Sequence, residues 1–133
     1  MKYYIISFIA MIFMAIPVMA DTPENARSKF DPERFEASME QYITTKAGLT
    51  PQEAERFFPL FRQMQSQIRV CFNEMRRFHH TDTNDNVMSA KAIRRMDSID
   101  IEIKKIQQKY HNCFLKILPA GKVLEILKAE DKF

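Results

Sequence analysis

Two runs of apolar residues limit what this chain can fold into. Phe57, Phe61, Met64, Ile68, Cys71, Met75 and Phe78 follow one another at intervals of 4, 3, 4, 3, 4 and 3. Ala92, Met96, Ile99, Ile103, Ile106, Tyr110, Cys113 and Ile117 do the same at 4, 3, 4, 3, 4, 3 and 4. That alternation places every member on one stripe of a helix, the period by which helix packs against helix; a strand would need a period of two. Pairing residues whose numbers sum to 170 or 171 matches the stripes member by member, from 78 with 92 to 57 with 113. The pivot falls at residue 85, inside HHTDTNDNVM, a polar turn-forming stretch from His79 to Met88. Two patterns drawn separately agree on one turn, and the expected core element is a long antiparallel helical hairpin.

Shorter helices flank it. Asp31-Pro32 is an N-cap followed by proline at the first helical position, and Phe35, Met39, Tyr42 and Ile43 give that helix an apolar face. Gly48 stops it by taking a left-handed conformation at little cost. Thr50 and Glu53 then have the spacing of a capping box, each side chain able to bond the other's backbone N–H. Pro59 falls inside the second helix, where it removes an N–H and crowds the carbonyl of Glu55; a kink near Phe58 is expected. That kink either lets the helix start off-axis or bends the hairpin into a curved surface. Leu118-Pro119 ends the third helix, and Val123, Leu124, Ile126 and Leu127 mark a fourth. The fold class is therefore all-α, with short N- and C-terminal helices around the hairpin.

The first residues are of another kind. MKYYIISFIAMIFMAIPVMA has one Lys, a short apolar run and Val18-Met19-Ala20 at its end, the pattern of a signal peptide cut after Ala20. The run is shorter than the roughly 20 residues that span a bilayer. Residues 21–30 read as a flexible leader, and 31–133 as the helical domain. Export to the periplasm follows. The exported part would carry 19 Lys and Arg against 17 Asp and Glu, a balance that argues against a nucleic-acid partner. Gly48 and Gly121 are the only glycines, so glycine-rich phosphate loops are excluded.

Gly48-Leu49-Thr50-Pro51-Gln52-Glu53 ahead of a long amphipathic helix resembles the Leu-Thr-x-x-Gln motif of the Spy/CpxP group of periplasmic proteins, with Glu53 standing where that motif has Gln. EAERFFPLF is similar to relatives from Bacteroides-type bacteria, and LPAGKVLEILKAEDKF to the second, weaker motif region that closes such chains, here without its Thr and Gln. The resemblance spans most of residues 31–133. It implies a small exported all-helical fold, with Leu49, Thr50 and Glu53 as the motif residues, and an ATP-independent chaperone or anti-aggregation factor in envelope stress. A regulatory partner of a membrane sensor or anti-sigma protein is the alternative it leaves open.

Catalysis has little to work with. Polar residues fall on helix exteriors, and Ser38, Ser66, Ser89 and Ser98 have no His near them in the helical or hairpin pairing, so an enzyme is not expected, nor any cofactor. His79 and His80 lie beside Asp82 and Asp85 at the hairpin tip. They are either solvated histidines at a polar turn or a weak zinc or copper site. Adjacent residues on a helix point about 100° apart, so the pair cannot share a metal unless the helix frays.

Two cysteines in an exported chain suggest a disulfide. The hairpin register instead puts Cys71 opposite Ile99 and Cys113 opposite Phe57, roughly 21 Å apart at 1.5 Å per residue. A disulfide needs Cα atoms within about 7 Å. Buried thiols, a bridge between two chains and an intrachain bond on another register remain the options.

Client-binding candidates lie beside the seams. Arg62, Arg69 and Arg76 recur every seven residues, Phe58 and Phe72 flank the second helix's stripe, Ile93 and Phe114 flank the third's, and Ile101 lies further round. A surface mixing cations with exposed apolar side chains can hold partly unfolded proteins through weak, adaptable contacts. Helices one and four, or a second subunit, are the competing cover for these residues. Dimerisation is expected, since one hairpin buries little core alone.

Overall fold

The structure, a computed structural model, describes residues 30–133, and the architecture below belongs to the unit Arg34–Phe133. The expected signal peptide (residues 1–20) and nearly all of the expected leader (residues 21–30) lie outside the described residues. Four α-helices follow in order: α1 (Pro32–Ala47), α2 (Pro51–Arg76), α3 (Asn86–Ile117) and α4 (Ala120–Lys132), with a 3-10 turn (Arg77–His80) extending α2. No strand occurs among the described residues. The fold is all-α, as its seams require.

Each boundary has a local cause. Gly48 sits at φ 62, and the Leu49 N–H donates to the Thr44 carbonyl at 3.0 Å, the bond that closes a helix around a left-handed residue. Leu49 is thereby turned inward and buried. The capping box forms in both directions. Thr50 Oγ1 accepts from the Glu53 N–H at 3.2 Å, and Glu53 Oε1 accepts from the Thr50 N–H at 2.9 Å. Pro59 does not end α2. It lies on the exposed side, where water can take up the carbonyl that its ring leaves without an N–H donor.

At the other end, Asp82 Oδ1 accepts from the Asn84 N–H, and Asp85 Oδ1 caps α3 by accepting from the Met88 N–H at 3.0 Å. Residue 85 is therefore the first cap of α3 rather than the middle of the turn, because α2 and its 3-10 extension continue to His80 and push the turn onto 81–85.

The seams meet as expected through most of their length. Phe57, Phe61, Met64, Ile68 and Cys71 of α2 are buried, as are Ala92, Ile99, Ile103 and Tyr110 of α3. Near the C-terminal end of α3 the stripe slips by one residue. Phe114, expected beside the seam, is fully buried with its ring 4.7 Å from that of Phe57, and Cys113 is left half-buried. A straight α-helix drifts about 20° per heptad against a strict seven-residue repeat, so the inward position moves on after three heptads. Phe57, Phe58 and Phe61 surround the same ring cluster.

α1 and α4 lie on one side of the hairpin. α1 runs antiparallel to α2: Arg62 makes a two-pronged pair with Glu40 at 2.6 and 2.8 Å, and Arg69 reaches Glu36 at 3.5 Å. α4 runs parallel to α2, with Lys122 near its start bonded to Glu53 and Glu130 near its end accepting from Gln65 at 2.7 Å. Ile43 from α1 and Val123, Ile126 and Ala129 from α4 complete the core. Beyond Arg69 no contact of this kind joins α1 or α4 to the hairpin among the described residues, so a four-helix base narrows to a two-helix tip.

Candidate functional site: the hairpin surface

The two motif-like segments of the sequence meet in space. Lys122 Nζ donates to the Gly48 carbonyl at 2.9 Å and to Glu53 Oε1 at 2.5 Å, so the α1–α2 junction and the start of α4 are tied at one point. The bond from Lys122, helped by the Thr50 N–H, holds the Glu53 carboxyl below the usual carboxylate range. Sequence reasoning found the cap but not Lys122. Nothing in a single lysine after Pro-Ala-Gly marks it as the partner of a carboxylate 69 positions earlier. Glu130, at the other end of α4, goes the opposite way: burial pushes its carboxyl up, and the bond from Gln65 only partly offsets this.

The client-binding candidates divide. Phe58 is buried in the ring cluster and is removed from the outer surface, as is Phe114; the helices that cover the base also close over these positions. Arg62 and Arg69 keep much of their surface but are tied to carboxylates of α1, and the bond with Glu40 strengthens the hold of the Arg62 guanidinium on its proton. Arg76 bonds Asn73 on its own helix. Phe72 is different. It lies one turn past Arg69 on the same side, beyond that last cross-helix pair, and is 49% exposed. Ile93, on the facing side of α3, is 60% exposed, with Val70 and Ile101 exposed further round.

Cys71 and Cys113 are both free thiols. The intrachain bond is therefore not formed, and burial raises the Cys71 thiol while shutting it away from a second chain. Cys113 is half-buried. His79 and His80 are exposed in the 3-10 turn, and no group of three metal-ligating side chains occurs among the described residues. His111 lines an open groove on α3 with Ile101, Lys104 and Gln108; burial, then Lys104, lowers its basicity. No charged or polar residue is buried among the described residues, and none of their helices is long and apolar enough to cross a membrane.

The chain matches no protein-family model, no curated protein and no solved structure.

Proposed function

We propose that this protein is an ATP-independent periplasmic chaperone that holds partly unfolded proteins on the two-helix tip of its hairpin. One observation carries the reading: Phe72 and Ile93 stand 49% and 60% exposed on the α1 and α4 side of the hairpin, toward its turn. Large side chains held open beside Arg76 offer an unfolded segment apolar contact with polar surroundings, each contact weak enough to exchange. The resemblance of Leu49-Thr50-Pro51-Gln52-Glu53 to the Spy/CpxP motif supports the same reading, as does the export signal in residues 1–20. A homodimer would add a second tip and cover part of the remaining apolar surface.

The test is light scattering of two unrelated, thermally aggregating clients with residues 21–133 at equimolar amounts and without ATP. The wild type should suppress both, and Phe72→Ser with Ile93→Ser should lose suppression while keeping its helical circular dichroism. No suppression at several-fold excess would overturn the chaperone reading and turn attention to a single membrane sensor or anti-sigma partner.

A further inference from the structure

The side of the hairpin turned away from α1 and α4 has a chemistry of its own. Arg62, Gln65 and Arg69, which meet α1 and α4, mark one side of α2. Gln67 and Glu74 mark the other, where they reach across to the Tyr110 hydroxyl at 2.8 Å and to Arg95 at 2.7 and 2.8 Å. At about 100° per residue, Lys91, Arg94, Arg95, Lys105, Lys109 and Lys116 of α3 fall within one sector, on the side marked by Arg95. Glu102 is the acidic residue among them. The opposite side of α3 carries Asp97 and Asp100 against Lys104, so charge is segregated around the helix although the chain as a whole is nearly balanced.

Most of these cations also lack a carboxylate partner, and Lys109 rests over the Tyr110 ring. Arg95 is paired with Glu74, but Lys91, Arg94, Lys105, Lys109 and Lys116 are exposed and have no carboxylate partner among the described residues. The contrast with Arg62 and Arg69, both paired to α1, is direct. From Lys91 to Lys116 the row extends on the order of 40 Å at 1.5 Å per residue, several Debye lengths at physiological salt. A groove that touches the row through Lys105 is open and lies on the outer side of α3.

We propose that this back face docks on the anionic headgroup layer of a lipid bilayer. A single continuous helix, α3, presents these cations along a line, and a lipid surface is flat on that scale. Headgroups diffuse in the plane, so a phosphate can come to each cation without the surface being shaped to fit. A compact anion could meet only one or two of them, and an acidic protein segment would have to stay extended along the row. The exposed apolar residues here, Val70, Val87 and, at the edge of the row, Ile101, are scattered, which suits adsorption to headgroups rather than insertion among acyl chains. The tip side with Phe72 and Ile93 would then face away from the bilayer. This inference stands independently of the chaperone reading.

The experiment is co-sedimentation of residues 21–133, which contain the whole core, with extruded vesicles of phosphatidylglycerol and phosphatidylcholine in equal parts, at low and at several-fold higher salt. The protein should pellet with these vesicles at low salt, be released by high salt, and stay in solution with phosphatidylcholine alone. Lys105→Glu with Lys109→Glu should lower partitioning at least about tenfold. Lys104→Glu with Lys128→Glu, the same charge change away from the row, should lower it far less. Equal losses in the two variants would show net charge alone at work and overturn the assignment of the face. Absence of salt-sensitive binding, or equal binding to phosphatidylcholine, would overturn the proposal. So would binding of soluble poly-glutamate in preference to vesicles, which would assign the row to an acidic protein segment instead.

Discussion

The base and the tip of the hairpin are made from the same two helices, and they differ in what lies beside them. At the base, α1 and α4 turn the flank of α2 into interior: Phe58 is buried, Phe57 and Phe114 pack ring against ring, and Arg62 is clamped by Glu40. At the tip the same flank stays open, and Phe72 keeps about half of its surface in water at a position where Phe58, fourteen residues earlier, has almost none. A heptad seam thus holds two helices together through most of their length. What packs beside the seam, and not the seam itself, decides which flanking residues become core and which stay available. Stability should be concentrated in one half of the molecule and binding in the other.

The largest test of that division is Phe114→Ala. Removing a fully buried ring that packs on Phe57 should cost about 3–5 kcal/mol, read by urea denaturation. Ile99→Ala, equally buried but nearer the tip, should cost less than Phe114→Ala, since a two-helix contact can collapse around a smaller void. Equal costs would break the comparison. Next in size is the junction that anchors the base: Gly48→Ala forces a side chain into φ 62 and should cost about 1 kcal/mol or more. Thr50→Ala, which removes one half of the capping box, should cost about 1 kcal/mol.

The seams, the cap and the hairpin register were legible in the sequence because each rests on spacing within one or two helices. The exposure or cover of Phe58 and Phe114 stayed open in the sequence for a related reason. Whether a residue beside a seam is exposed depends on helices elsewhere in the chain, and single-helix periodicity carries no information about them. The one-residue slip at Phe114 follows from helical drift and could have been found by letting the period relax from 3.5 toward 3.6. Lys122, Gln65 and Glu130 left no comparable signal, since polar pairs between α2 and α4 have no fixed spacing. The surface reading keeps Phe72 and Ile93, both at the tip, and loses the candidates at the base.

A smaller effect sharpens how α4 is fastened. Its two ends rest on carboxylates displaced in opposite directions. Glu53, held low by Lys122, contributes stability that is present above the unfolded carboxylate range and lost as pH falls through its folded value. Glu130, raised by burial, contributes stability that is present below that range and lost as pH rises through its folded value. Glu130→Gln should therefore raise the thermal midpoint at neutral pH and leave it little changed near about pH 3, below the ordinary carboxylate value. Glu53→Gln keeps an acceptor for the cap but removes the charge facing Lys122, so it should lower the midpoint at neutral pH and matter less in acid. Smallest of all, Phe72→Ser at the exposed tip should change stability by no more than about 0.5 kcal/mol while weakening client protection.

Hydrogen exchange followed by mass spectrometry on residues 21–133, alone and with an unfolded client, tests the division most directly. The account expects strong protection of α2 up to Arg69 and of α3 from Ile103 onward, faster exchange across the tip between them, and client-induced protection confined to the tip. Uniform protection along the hairpin, or client-induced protection centred on the base, would contradict it.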